Sequence, residues 1–186
     1  YNRSNVKEVV KAHTLDAGPP IVPPKWTFTH WRWRDNHYNE DTYFDGSEVD
    51  APYNSMVVED ILMMEALDIP SGIYWIDRPW AKGPMGYDDF EWDTDRLPNP
   101  QDMIDWLKIK DKEFMLWIAP WVDGDMAETA RNNDYDIEIA QREGDWDSWR
   151  EEAKENGLAL VDFTNPEAKE WWQNNLKEVL EQGVKG

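Results

Sequence analysis

Carboxylates and indoles recur together at the ends of apolar runs in this 186-residue chain. Asp77 closes the run Gly72-Ile73-Tyr74-Trp75-Ile76, and Trp117 lies in Phe114-Met115-Leu116-Trp117-Ile118-Ala119, just before Pro120. Trp31, Trp80, Trp92 and Trp121, with Asp89, Asp93 and Asp123, fall in or just after similar segments. That combination suits carbohydrate, because a sugar ring offers C–H faces to an indole while its hydroxyls seek carboxylate partners. A lone carboxylate ending an apolar strand costs free energy unless it is paired or wet. Asp77 therefore either lines a pocket or pairs structurally with Arg78 or Arg96. Trp117 divides in the same way between site and core. Trp75, inside an apolar run, reads as core, and Trp171-Trp172 read as helix packing. Asp88-Asp89 and Asp93-Asp95 read as turn and capping residues, not as acid–base partners.

Other chemistries find less support. The absence of cysteine removes disulfides, thiolate metal sites and a cysteine nucleophile. His13, His30 and His37 show no metal-ligand spacing, so neither a metal nor any other cofactor is expected. No Gly-x-Ser-x-Gly elbow supports a serine nucleophile. With 39 acidic and 19 basic residues the formal charge is -20, which repels phosphate and anionic membrane surfaces. No apolar run approaches the roughly 20 residues of a membrane helix. Nucleic acid and membrane are thus not expected partners. The acidity fits a salty or secreted setting as well as a solvated surface.

The elements that must position these residues alternate. Hydrophobic residues make up 40% of the chain and aromatics 13%, ample for the core of one domain. Residues 1–19 read as a lead-in from a preceding domain, closed by the extended Pro19-Pro20-Ile21-Val22-Pro23-Pro24. Strands are predicted over Trp26 to Trp33, Gly72 to Ile76, Phe114 to Ala119 and Leu158 to Val161. Helices are predicted over Asn54 to Leu67, Pro100 to Leu107, near 126–132, and from Asn165-Pro166 to about Gln182. Gly183 to Gly186 reads as a helix stop and the first step into another strand. Strands apolar on both faces, alternating with helices, indicate a covered parallel sheet, either a barrel or an open doubly wound sheet. No Gly-x-Gly-x-x-Gly occurs, which weakens the open nucleotide-binding sheet. A full (β/α)8 barrel takes ~250 residues, so residues 20–186 correspond to a partial TIM barrel of three to four β/α units.

Several segments resemble glycoside hydrolase family 31. They are Pro23-Pro24-Lys25-Trp26, the strand Ile73 to Asp77, and Asp89-Phe90-Glu91-Trp92-Asp93 followed by Leu97-Pro98-Asn99-Pro100. Leu116 to Pro120 also matches, and above all Val161-Asp162-Phe163-Thr164-Asn165-Pro166-Glu167-Ala168 with Trp171-Trp172. The resemblance implies a retaining glycosidase acting on α-linked oligosaccharides or glycosides, with Asp77 and Trp117 lining the subsite of the sugar to be cleaved. It further implies Trp31 and Tyr87 as its aromatic wall, and Asp162 through Pro166 as a structural turn and helix start. Two departures stand out. Asp77-Arg78-Pro79 replaces the Asp-x-Asp of many relatives, which favours xylosidase-like substrates, and 141–157 lacks the Trp-Pro-Gly of animal-type relatives. In the family the nucleophile follows a Gly-Val-x-Gly like Gly183 to Gly186, and the general acid comes later. No residue of this chain is therefore expected to be catalytic. The expected partners are the remainder of the same enzyme, meaning an N-terminal β-sandwich and a C-terminal half-barrel, and the segment alone is expected to be inactive. The alternative is a non-catalytic carbohydrate-binding or structural protein on the same barrel. A weaker one is an unrelated α/β enzyme using Asp77 with Asp93 or Asp123.

Overall fold

The computed structural model describes residues 5–34, 43–44, 47–48, 52–77, 79–83, 86, 88–137 and 157–186. Helix α1 (Val6–Ala17) is capped by Asn5, whose side chain accepts from the Glu8 N–H at 3.0 Å, and it buries none of its residues. After the exposed proline passage, Lys25–Phe28 forms a 3-10 turn and β1 spans only Trp31–Arg34. The strand predicted from Trp26 is thus corrected to a shorter one. The hydroxyls of Thr27 and Thr29 each donate to the carbonyl three residues back, Pro24 and Trp26, at 2.7 Å. Such local bonds compete with the sheet ladder.

A short hairpin, β2 (Tyr43–Phe44) and β3 (Ser47–Glu48), precedes α2 (Ser55–Ala66). Asn54 caps α2 by accepting from the Val57 N–H at 3.1 Å. β4 (Ile73–Ile76) then leads to a second hairpin, β5 (Ala81–Lys82) and β6 (Asp88–Trp92). α3 (Pro100–Ile109) starts with proline in its first turn, where its missing N–H costs nothing. β7 (Glu113–Leu116) is followed by β8 (Trp121–Val122), α4 (Gly124–Asn132), β9 (Ala159–Leu160) and α5 (Pro166–Glu181).

β1, β4 and β7 form one parallel sheet in that order, with Trp31 opposite Ile73 and Ile73 opposite Glu113. A Cβ on Gly72 would overlap the Thr29 side chain, so only glycine lets the chain enter β4 this close to the β1 approach. The predicted strand at 158–161 exists as β9, but it pairs antiparallel with β8 outside the main sheet. The onset of a fourth barrel strand lies at the C-terminus. Lys185 N–H donates to the Phe114 carbonyl and Leu116 N–H to the Gly186 carbonyl, both at 2.8 Å, beside β7.

Alternate residues of these strands enter the core. Tyr74, Ile76, Phe114 and Leu116 cluster with Val57 and Ile61 of α2, Met103, Ile104 and Leu107 of α3, and Val179 of α5. Trp171 and Trp172 pack against the same cluster, as expected. The result is a parallel sheet backed by helices, the construction of a partial (β/α) barrel.

Candidate functional site

Side chains alternate across a strand. With Tyr74, Ile76, Phe114 and Leu116 committed to the helices, the other face carries Trp31 and Trp33 of β1, Trp75 of β4 and Met115 of β7. The next residues of β4 and β7 on that face are Asp77 and Trp117. Trp117 N–H donates to the Ile76 carbonyl at 2.8 Å, so the ladder continues past the last paired residues and leaves Asp77 and Trp117 on neighbouring strands. The indoles form a row. Trp33 and Trp75 have centroids 6.0 Å apart and tilted by 32°, and Trp75 and Trp117 are 6.2 Å apart and stacked within 22°. The Trp33 Nε1–H donates to Asp77 Oδ2 at 2.9 Å. Trp33 is 38% and Trp117 39% exposed, and Trp75 between them is partly buried.

Of the residues singled out from sequence, the fold brings Asp77 and Trp117 together at the C-terminal end of the sheet. It does not bring Trp31 there. Trp31 is in register with Ile73, four residues before Asp77, which is roughly 13 Å along the strand. Its Nε1–H is engaged with the Thr27 carbonyl at 3.1 Å. Tyr87 and Arg78 lie outside the described residues. Trp33, in register with Trp75, is the β1 tryptophan that lies beside Asp77. A two-residue alternation counted from Asp77 across the sheet would have found it, but the register needed for that count is not in the sequence. Trp75, expected as core, is partly buried between the rings of Trp33 and Trp117. A strand buried on one face and lined by rings on the other reads as one continuous apolar run.

The other tryptophans near strand ends are scaffold. Trp80 is buried, packs edge-on to Phe90 and Trp92, and donates its Nε1–H to the Trp117 carbonyl at 2.8 Å. The β5–β6 hairpin thereby fixes the backbone at Trp117. Trp92 donates to Gln182 Oε1 at 2.7 Å, tying the same hairpin to the end of α5. Asp93 behaves as a turn residue, accepting from the Asp95 and Arg96 N–H groups at 3.2 Å and from Arg96 Nε at 3.4 Å. Asp123 is fully buried at the start of α4.

Asp162 and Asn165 build the expected turn and helix start. Asp162 Oδ1 accepts from the Thr164 N–H at 2.9 Å and its hydroxyl at 2.6 Å, bonds that hold its carboxyl below the usual carboxylate range. Asn165 Oδ1 accepts from the Glu167 and Ala168 N–H groups at 3.0 and 3.5 Å, capping α5.

Behind the open face, Arg32 and Arg34 of β1 point to α2. Asp60 accepts from Arg32 Nη2 and Arg34 Nη2 at 2.6 Å, from Arg34 Nε at 2.8 Å and from the Tyr74 hydroxyl at 2.8 Å. Burial opposes ionisation of Asp60 most strongly. The donations from Arg34, Arg32 and Tyr74 outweigh it, so the carboxyl stays below its ordinary range. Burial, and then the Asp60 charge, push the Tyr74 hydroxyl well above its ordinary value. Burial pulls Arg34 downward, but Asp60 and Glu59 overcome it and strengthen its charge. Among the described residues no group of three or more His, Asp or Glu side chains is arranged to hold a metal ion.

A parallel sheet with intervening helices, widened at its C-terminal end by the β5–β6 and β8–β9 excursions, defines a (β/α)-barrel segment. The model of the glycosyl hydrolases family 31 TIM-barrel domain matches residues 20–186, and the chain belongs to that family. The α-xylosidase XylQ of Lactiplantibacillus pentosus is 27% identical over 183 residues, covering 96% of this chain. An α-xylosidase of Emericella nidulans is 27% identical over 191 residues, covering 97%. The chain spans 21% of the length of each. Among solved structures, the family 31 dextranase of Flavobacterium johnsoniae complexed with glucose superposes with a TM-score of 0.73 at 22% identity. It covers 99% of this chain and 21% of that one. The family 31 α-glucosidase of Bacteroides thetaiotaomicron gives 0.69 at 22% identity, covering 100% and 29%. These two superpositions establish the partial barrel fold.

Proposed function

We propose that the protein carrying this segment hydrolyses α-linked glycosides with net retention, and that residues 20–186 supply the first barrel strands and walls of the substrate subsite. One observation carries this reading: Asp77 and Trp117 end adjacent parallel strands on the same open face, beside the ring row. The carboxylate accepts hydrogen bonds from sugar hydroxyls, and the indoles of Trp117 and Trp75 pack against C–H faces. Tyr87, which the family resemblance implies, is a further candidate for that wall. The attacking carboxylate and the general acid come from sequence after Gly186. In a retaining enzyme the first forms a glycosyl–enzyme bond. The second protonates the leaving oxygen and then activates water, with the two carboxyl groups about 5–5.5 Å apart.

Asp77-Arg78-Pro79 lacks the second carboxylate of the Asp-x-Asp pattern, and two of the relatives are named α-xylosidases. Both favour an α-xyloside, whose sugar has one hydroxymethyl group fewer to recognise. A panel of nitrophenyl α-glycosides, incubated with the full-length protein, tests the reading. The α-xyloside is turned over fastest, NMR finds the α-anomer first, and Trp117→Ala lowers kcat/KM by about 100-fold. Release of the β-anomer removes retention. Binding of α-glycans without turnover by the complete protein assigns the barrel to a carbohydrate-binding role instead.

A further inference from the structure

We propose that Trp33 is a positioning residue for Asp77: its indole N–H fixes the carboxylate that meets the sugar, and the Arg32–Asp60 contact on the opposite face of β1 fixes Trp33. The inference rests on the reading of Asp77 as a substrate-contacting carboxylate. Three contacts form one continuous line through the sheet. Asp60 Oδ1 accepts from Arg32 Nη2 at 2.6 Å, and Arg32 Nη1 donates to the Trp33 carbonyl at 2.9 Å. The Trp33 Nε1–H then reaches Asp77 Oδ2 at 2.9 Å.

Each link removes a freedom that matters for binding. A hydrogen bond from a rigid donor favours one orientation of the carboxylate it meets. The donor must itself be rigid. Trp33 is braced at its ring by Trp75, 6.0 Å away, and at its backbone by the ladder to β4 and the Arg32 guanidinium. An indole suits this place for a second reason. It donates through one fixed N–H and has no acceptor, so it directs the carboxylate without competing for the hydroxyls that the carboxylate must accept.

The test uses the full-length protein with a nitrophenyl α-xyloside. Trp33→Phe keeps a ring but removes the donor, and a tryptophan analogue with sulfur in place of the indole N–H keeps the whole ring shape. Both raise KM by roughly tenfold with a smaller change in kcat, because orientation of a binding group is lost and not the fold. The melting temperature of the analogue-bearing protein stays within error of the parent. In a double-mutant cycle with Asp77→Asn, the Trp33 change adds nothing further once Asp77 is altered. If Asp77→Asn itself leaves kcat/KM unchanged, the subsite reading falls. If Asp77→Asn is damaging but the Trp33 changes are neutral, or multiply independently with it, the positioning role is overturned while the subsite stands. A uniform drop in melting temperature with unchanged KM assigns Trp33 to structure alone.

Discussion

The two faces of the three-stranded sheet use the same strands for opposite ends. On the helix-facing side, residues 32, 34 and 74 deliver two guanidinium groups and a phenol to one buried carboxylate, Asp60, and residues 76, 114 and 116 fill the core. On the other side, Trp33, Trp75 and Trp117 stand in a row with their rings partly open, and Asp77 ends the row. Charge on the helix-facing side is consumed by charge. On the open side the Trp33 indole N–H donates to the Asp77 carboxylate at 2.9 Å. If the open face binds sugar as proposed, stability and recognition are separated by a single-residue alternation, not by distance along the chain.

Three outcomes would break or sharpen that separation. The largest is at Asp60. Removing one member of a buried ionic group strands its partners, so Asp60→Ala costs about 3–5 kcal/mol. Thermal unfolding of the full-length protein reads it as a lowered melting temperature of the barrel transition. A variant that instead keeps its melting temperature and loses turnover would erase the division between faces.

A smaller effect follows from acid. The folded state holds the Asp60 carboxyl below its ordinary range. Its stabilisation is therefore complete above the unfolded-state value of about 4, and is lost as pH falls through the lower folded-state value. Melting temperature measured from pH 6 to pH 2 falls in that window, and the Asp60→Ala variant shows a flatter profile there. Equal slopes in the two proteins would remove Asp60 as the linked group.

The smallest is at the α5 cap. Asn165→Ala removes the side-chain acceptor from the first turn and costs about 1 kcal/mol, seen in melting temperature, with KM for the α-xyloside unchanged. A change in KM would show that α5 reaches the open face.

The fold was legible where local chemistry is decisive. Asn54 and Asn165 cap helices, Pro100 and Pro166 enter them, and Ile73 to Ile76 and Phe114 to Leu116 are too apolar for anything but covered strands. The limits of that reading are equally local. The aromatic run from Trp26 resembled a strand throughout, while the Thr27 and Thr29 hydroxyls turned its first half into a 3-10 turn. For the candidate site, Asp77 and Trp117 were singled out by type and position, and the structure sets them on neighbouring strands. Which of Trp31 and Trp33 lies beside Asp77 was not legible, since both are tryptophans on one face of β1 and only the pairing with β4 tells which end reaches Asp77. The partners of Asp60 were equally invisible, being supplied by residues 26 to 28 positions away on β1 and 14 away on β4.

The short hairpins between the main strands and helices were not legible in the sequence. By itself the sequence determined the alternation of the main strands with α2, α3, α4 and α5, the capping of α2 and α5 and the presence of a carboxylate and an indole at two strand ends. These depend on neighbours within a few residues, where propensity and hydrogen-bonding reach suffice. The tertiary structure alone decided which ring faces open space, which carboxylate is consumed by arginine, and that β9 leaves the main sheet to pair with β8. Those choices depend on register between strands, and a shift of one residue would exchange the two faces of every strand.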